Sequence, residues 1–441
     1  MHKLPVKYLT IALFILTGNA VHAQTSSYSN ASSLRENNPY SKYGIGELWN
    51  GNSTSMKAMG SITSAYQDPF LINSDNPASY SSLVLTTFEG GAVGSTRNIV
   101  AGTGERYSTG TSSLGYLSIG IPIRQKGGLS IGIKPVSRSY FALADTIVSP
   151  AGLVSRSYAG DGGLSYAYLG GAYRYKGLSV GFNFGYMFGN YRNFTTVVGR
   201  DTLAINDIYE AQFPRYMSIG GLYWKGGAIY ERPMKDSQYV FRVGGTLTLG
   251  QNLHETISDY RVSIKNIGDT LINDTSYTNA DVRGTLRLPM SYSIGVNFAK
   301  TDKWLFGIDY TGTNWSEFNA NKDTAMNFGL ASSTYKVAVG GQFTPNSADL
   351  LNYFSRVSYR FGLYYGTDYV RLQNTSLPCY GLTFGGSFPY KRNTRAASRF
   401  HASFDIGRLG TNTNNLLKQT YVRVGLGLSF NEKWFIPRKY E

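Results

Sequence analysis

Cysteine is almost absent from this chain: Cys379 is the only one in 441 residues. A single thiol this far downstream excludes both an internal disulfide and a lipid-modified mature terminus. Histidine is nearly as scarce, and two of the four, His2 and His22, lie in the first 23 residues. Neither His254 nor His401 has a second His, Cys or carboxylate at a ligand spacing such as His-x-x-x-His, so no catalytic residue, metal ligand or cofactor is assigned and no enzyme is expected. Long apolar runs are missing too. After the N-terminus no run of 18 apolar residues occurs, which excludes a helical membrane protein but leaves open a transmembrane barrel, whose spans need only about 9 to 11 alternating residues.

What is present begins with a targeting pattern. Lys3 and Lys7 precede the apolar run Leu9 to Leu16, and Val21-His22-Ala23 supplies small residues at the cleavage positions. Residues 1–23 therefore read as a signal peptide, with the mature chain expected to begin at Gln24. The formal charge of +15 falls by two, to +13, without that segment. Its basic residues are scattered rather than clustered, which argues against nucleic acid and for anionic outer-membrane lipid headgroups or lipopolysaccharide.

The composition is rich in Gly (51), Tyr (35) and Phe (23), and these residues alternate. "LSVGFNFGYMFGN" places Leu178, Val180, Phe182, Phe184, Tyr186 and Phe188 on one parity and Ser179, Gly181, Asn183, Gly185, Met187 and Gly189 on the other. On a strand these are opposite faces. The period returns at Leu117–Ile123, Leu129–Ile133, Leu164–Tyr168, Tyr239–Leu249 and Leu286–Phe298. About fourteen strands are expected between residues 84 and 431, with short turns such as Lys176-Gly177 alternating with long loops at 99–111, 199–205, 264–274 and 318–329. The expected fold is all-β: a fourteen-stranded antiparallel transmembrane barrel in the bacterial outer membrane, with the bulky row facing lipid. Residues 24–82 do not alternate, and a barrel of this width needs filling. The expected organisation is a signal peptide (1–23), an N-terminal plug (24–82), the barrel (83–431) and a periplasmic tail (432–441).

Pro135 sits mid-way through the third strand. It has no N–H to give a ladder, so a break or bulge is expected there. By itself the proline reads as a simple bulge above the membrane.

Ala58-Met59-Gly60, Ala65, Asp68-Pro69, Asn73 and Asn76-Pro77-Ala78 followed by Leu83 resemble the N-terminal hatch of the long-chain fatty-acid transporter family. Leu288-Pro289, Tyr292, Gly295, Val296, Trp304, Asp309 and Trp315 are similar to a second motif of that family, extended by Tyr335–Gly341 and Arg360–Tyr365. The resemblance implies a passive carrier of hydrophobic compounds such as long-chain fatty acids. It also implies plug-motif roles for Gly60, Asp68, Asn76, Pro77 and Ala78, and, as the alternative to a simple bulge, a lateral exit at the kinked third strand through an opening in the wall at Lys134, Pro135 and Val136. "NNPYSKYGIGELW" has no counterpart in the best-known members. A branch of the same barrel family holds secreted proteins in type IX secretion, so a non-transporting barrel that docks envelope or secretion proteins, or serves an envelope assembly as an accessory subunit, stands as the alternative.

Overall fold

The computed structural model describes residues 37–434 apart from Asn50, Gln125, 150–151, 201–208, 235–237, 268–269, 350 and 391–397. The expected signal peptide, the first part of the expected plug (24–36) and the end of the expected tail (435–441) lie outside the described residues. The wall is built from β1 (Thr86–Val100), β2 (Arg106–Ile123), β3 (Gly127–Pro135, resuming at Ser137–Ser149), β4 (Gly152–Tyr175) and β5 (Leu178–Arg200). It continues through β6 (Tyr209–Met234), β7 (Tyr239–Thr248, resuming at Gln251–Ile267), β8 (Thr270–Leu288, resuming at Ser291–Lys300), β9 (Trp304–Thr313) and β10 (Thr334–Phe343). β11 (Ser358–Leu372), β12 (Thr375–Pro389), β13 (Arg399–Leu409) and β14 (Lys418–Glu432) complete it. Each strand pairs antiparallel with its sequence neighbours, and β14 returns to β1 in register from Lys418↔Val100 to Glu432↔Thr86. The sheet closes on itself as a fourteen-stranded barrel.

Alternation sorts the faces as the sequence implies. Leu178, Val180, Phe182, Phe184, Tyr186 and Phe188 are 40–54% exposed on the outside, whereas Ser179, Asn183 and Met187 are at most 1% exposed within. The same outward rows run along Leu129, Ile131 and Ile133 in β3 and Tyr292, Ile294, Val296 and Phe298 in β8. Two stretches depart from this: Leu286 and Leu288, at the start of the row in β8, are buried, and β4 turns its bulk inward. Leu164, Tyr166 and Tyr168 face inward and Leu169 and Tyr173 face out, because Tyr166 and Tyr168 pack on Ile72, Tyr80 and Leu83 inside the barrel.

The end holding Lys176-Gly177, where both residues take positive φ, also holds the first and last residues of the barrel. By the usual asymmetry of such barrels it is periplasmic. At the other end the strands run further than the sequence suggests: β1 reaches Val100, β2 starts at Arg106, and β7 and β8 meet across Ile267 and Thr270. Beyond the bilayer both faces of a hairpin are wet, so the pairing persists after the apolar alternation has stopped. The third, seventh and eighth strands, expected as continuous, are each interrupted, two of them beside a proline (Pro135, Pro289) that lacks the ladder donor.

The interior is filled from both ends. Residues 51–83 run through the periplasmic half as short helical turns (Thr54–Lys57, Pro77–Ser82) joined by irregular chain. They are held by the wall: Gly60 N donates to Thr383 Oγ1 (2.7 Å), Thr63 N and Ser64 N to Asp309 Oδ2 (2.6 and 2.7 Å), and Tyr80 OH to Asn183 Oδ1 (2.9 Å). Gly362 and Gly181 admit this close approach, since a Cβ there would collide with the backbone of Gly60 and Pro77. The extracellular half is capped by residues 314–333, whose Trp315 stacks on Tyr369 with centroids 4.1 Å apart and whose Phe318 and Met326 join Leu253, Ile257 and Leu286 in one apolar cluster.

Phe184 stands mid-way along the outward row. Phe184→Arg is expected to destabilise the barrel by about 2–4 kcal/mol in lipid vesicles, the cost of a cation at the lipid face near mid-bilayer. Urea titration of the vesicle-embedded protein reads this out, and an unchanged midpoint would mean the row does not face lipid.

Candidate functional site

Adjacent strands of the wall separate between β2 and the upper half of β3. The lower half of β3 pairs with β2 from Ile123↔Gly127 to Leu117↔Ile133. Above that the ladder stops. Pro135 ends the lower half, Val136 N turns to Leu164 O of β4 (2.8 Å), and Ser137–Ser149 continues against β4 alone on that side. On its other edge, where β2 should lie, the upper half of β3 instead meets the N-terminal segment.

Residues 37–49, the stretch "NNPYSKYGIGELW", run along this free edge as a replacement for the missing ladder. The Asn37 side chain donates to Ala142 O (2.9 Å) and accepts from Ala142 N (3.1 Å). Asn38 N donates to Tyr140 O (2.9 Å), Glu47 and Leu48 pair in register with Arg138 and Ser137, and Trp49 N donates to Val136 O (2.8 Å). Toward β2 the segment is joined by fewer links: Asn37 N donates to Thr109 Oγ1 (3.1 Å), and Arg138 reaches across to Leu114 O (2.8 Å) and Ser113 Oγ. Glu47 faces inward between Arg97 of β1 (2.7 Å) and Arg423 of β14 (2.5 Å). Leu48, on the opposite parity, is 45% exposed.

Behind this patch lies a cavity of about 330 Å³. Its walls are mostly carbon, from Leu48, Val93, Tyr364, Tyr369, Leu409 and Tyr421, with Lys57, Lys336, Asp405 and Arg423 among them. Lys57 closes the helical turn Thr54–Lys57, and its buried Nζ has no hydrogen-bond partner; the nearest ring, Trp49, is 5.7 Å away. Burial, reinforced by the charges of Arg423 and Arg138 and only partly opposed by Asp405 and Asp75, pushes this ammonium down to about 7. Arg423 Nε is likewise buried without a partner. A smaller polar cavity of about 200 Å³, lined by Asp75, Lys225 and Asp309, shares Ser61, Thr311 and Lys336 with the first.

The residues singled out in sequence fall into two groups. Asn76 caps the turn Pro77–Ser82 through Ala78 N (3.1 Å) and donates to Ser64 O (2.5 Å), with Pro77 at the first helical position and Ala78 fully buried. Lys134 forms an ion pair with Asp75 (2.5 Å), so the Asn-Pro-Ala turn and the break in β3 meet through adjacent residues. Gly60 and Asp68 lie elsewhere on the same segment. Gly60 takes φ +67° against β11, and Asp68 accepts from Phe70 N (2.8 Å) at the periplasmic mouth. His401 is buried with its ring nitrogens on Ser387 (2.5 Å) and Ser429 (3.0 Å), and His254 faces outward. Glu47, Lys57, Arg97, Arg138 and Arg423 were not singled out. The available signal was charge on the inward parity of a membrane strand, as at Arg97 and Arg423.

The apolar outer face and closed sheet place the protein in the bacterial outer membrane. No helix among the described residues is long and apolar enough to cross a membrane. The fold is shared with solved barrels. The Pseudomonas putida toluene transporter TodX superposes at a TM-score of 0.54 with 14% identity, covering 89% of this chain and 99% of that one. The Ralstonia pickettii toluene transporter TbuX gives 0.53 with 12% identity, covering 86% and 98%. A Pseudomonas aeruginosa FadL homologue gives 0.53 with 11% identity, covering 89% and 100%. At these identities the likeness is one of fold, and at that level the resemblance to the fatty-acid transporters holds. No curated protein matches the sequence. The family model that does match is BamG, over residues 6–441. Since that match takes in the interior segment, every strand and the extracellular cap, the chain belongs to the BamG family.

Proposed function

We propose that this barrel binds an amphipathic acid of the long-chain fatty-acid class in the cavity behind Leu48 and passes it to the bilayer through the break between β2 and β3. The observation that supports it best is Lys57: a buried ammonium without a hydrogen-bond partner, set in carbon-rich walls. Apolar walls favour a hydrocarbon tail by about 0.8 kcal/mol per buried CH₂. A carboxylate beside Lys57 would supply its missing partner and restore its charge.

With residues 51–83 acting as a plug below and residues 314–333 as a cap above, the sideways route is the short one. Leu48 both lines the cavity and is exposed outside, so the wall there is one residue thick. Lys134, Pro135 and Val136 keep β2 and β3 apart, and residues 37–49 close the gap until they shift.

Oleate binding to the full chain in detergent, followed by calorimetry, is expected to weaken at least about tenfold in Lys57→Met, with oleyl alcohol unaffected. The sign with pH follows from Lys57 being charged below about 7. Affinity for oleate should fall as pH rises through that value in the natural protein and stay flat in Lys57→Met. Identical pH profiles would remove Lys57 from the site.

The lateral route has its own test. Glu47→Gln leaves Arg97 and Arg423 short of an anion, so amide exchange at Asn38, Trp49, Tyr140 and Ala142 should quicken by about an order of magnitude while β12 and β13 are unchanged. Pro135→Val restores a donor at the break and should slow transfer of oleate into vesicles without altering its binding. Equal transfer rates would eliminate the wall opening.

A further inference from the structure

The periplasmic mouth carries a second feature that shares no residue with the cavity above. A groove of about 550 Å³ runs between Tyr66–Phe70 of the interior segment and the rim formed by the β8–β9 turn and the β10–β11 connection. Five basic side chains line it, Arg242, Lys300, Lys303, Arg356 and Arg399, against two carboxylates, Asp68 and Asp302. Only Arg242 is engaged by an acid, Glu231 at 2.6 Å. Among the described residues no carboxylate lies within ion-pair distance of the other four. Three of them sit over aromatic rings instead: Lys300 over Tyr239 (5.3 Å), Arg356 over Tyr353 (5.4 Å) and Arg399 over Phe70 (5.9 Å). Arg356 Nε is buried without a hydrogen-bond partner.

The β10–β11 connection, residues 344–357, supplies one bank of the groove and then projects. Its described residues are held by local hydrogen bonds on both sides of residue 350. Asn346 N donates to Ser355 O (2.8 Å), Asp349 Oδ1 accepts from Leu351 N (2.9 Å) and Asn352 N (3.0 Å), and Asn352 Oδ1 accepts from Phe354 N (3.0 Å). This scaffold leaves Leu351 99% exposed and Phe354 66% exposed. Side chains of that kind, fixed in place rather than folded back, cost solvation energy that only a partner recovers.

We propose that the groove and the Leu351–Phe354 tip together form a docking site for an extended, acidic segment of a periplasmic protein that carries apolar anchors. Charge selects the partner's sign: five basic side chains line the groove against two carboxylates, and four of them lie outside ion-pair distance of any described carboxylate. The exposed Leu and Phe select its anchors, and Phe70 and Trp304 give the groove an apolar floor. A protein segment fits better than lipid headgroups, because the floor is the interior segment Tyr66–Phe70, inward of the lipid-facing strands. The site does not depend on the cavity binding an acid, so each stands or falls alone.

The test uses the full chain in detergent micelles, with fluorescence anisotropy of labelled ten-residue peptides of alternating Glu and Phe, alternating Lys and Phe, or Glu alone. The Glu-Phe peptide should bind most tightly. Lys303→Glu with Arg356→Glu should weaken it at least about tenfold, and Leu351→Ser with Phe354→Ser should bring it down to the level of the all-Glu peptide. All four positions lie in the β8–β9 turn or the β10–β11 connection, outside the barrel ladder, and retention of the barrel is checked by its far-ultraviolet dichroism. Equal binding of the Glu-Phe and Lys-Phe peptides, or no loss on charge reversal, would overturn the proposal. Displacement of the Glu-Phe peptide by oleate would make the groove an exit for the carried acid and overturn it too. Charge reversal that abolishes binding to phosphatidylglycerol vesicles while sparing the peptide would assign the groove to lipid.

Discussion

Inside a bilayer there is no water to satisfy a peptide group, so each backbone N–H and C=O must find its partner within the protein. Closure of β14 onto β1 meets that demand for the wall as a whole, and at three places where a ladder stops another group takes over the pairing. At β3 the chain lends its own N-terminal segment to the exposed edge, through Asn37, Asn38, Glu47, Leu48 and Trp49. At β11 the cap does the same, Ala331 N donating to Tyr369 O and Arg371 N to Gly329 O, each at 2.7 Å. At the interruption in β7 a side chain serves, with Gln251 both accepting from Trp224 N and donating to Trp224 O. Three gaps are thus mended, by the N-terminal segment, by the cap and by one glutamine side chain.

Filling so wide a barrel creates the second demand. The interior segment brings backbone and side-chain polar groups into a space the wall lines with Ser, Thr, Asn and charged residues. Most find partners, as Asp309 does with two backbone N–H groups and Glu47 with two arginines. Atoms buried without a hydrogen-bond partner occur at several places in the interior, and two of them, Lys57 Nζ and Arg423 Nε, belong to residues that line the cavity. Unsatisfied buried donors are costly in a protein interior, and a cavity that holds two of them beside apolar walls is shaped for an anionic, apolar occupant.

Much of the site was hidden for one physical reason: its residues come together only by closure. The Asn-Pro-Ala turn was legible because it is local, Asn76 capping the helical turn two residues on. Lys134 and Pro135 were legible because proline punctuates a strand wherever it falls. Glu47, Arg97 and Arg423 stand 50 and 376 residues apart along the chain as donors and acceptor, and nothing in the local pattern pairs them. Lys57 is an ordinary lysine in sequence and unusual only in that its Nζ is buried without a hydrogen-bond partner in the folded interior.

The number of strands, their outward faces and the outer-membrane destination were determined by the sequence itself, since a two-residue period and the chemistry of lipid leave few other arrangements. Even there, the inward turn of Leu164, Tyr166 and Tyr168 escaped it, because alternation assigns two faces without saying which is which when both carry bulk. The breaks in β7 and β8, the sealing of the wall by residues 37–49, the cap of residues 314–333 and the unpaired Lys57 were decided by tertiary structure alone. Each depends on what a segment meets after the sheet has closed around it, and closure joins residues at opposite ends of the chain.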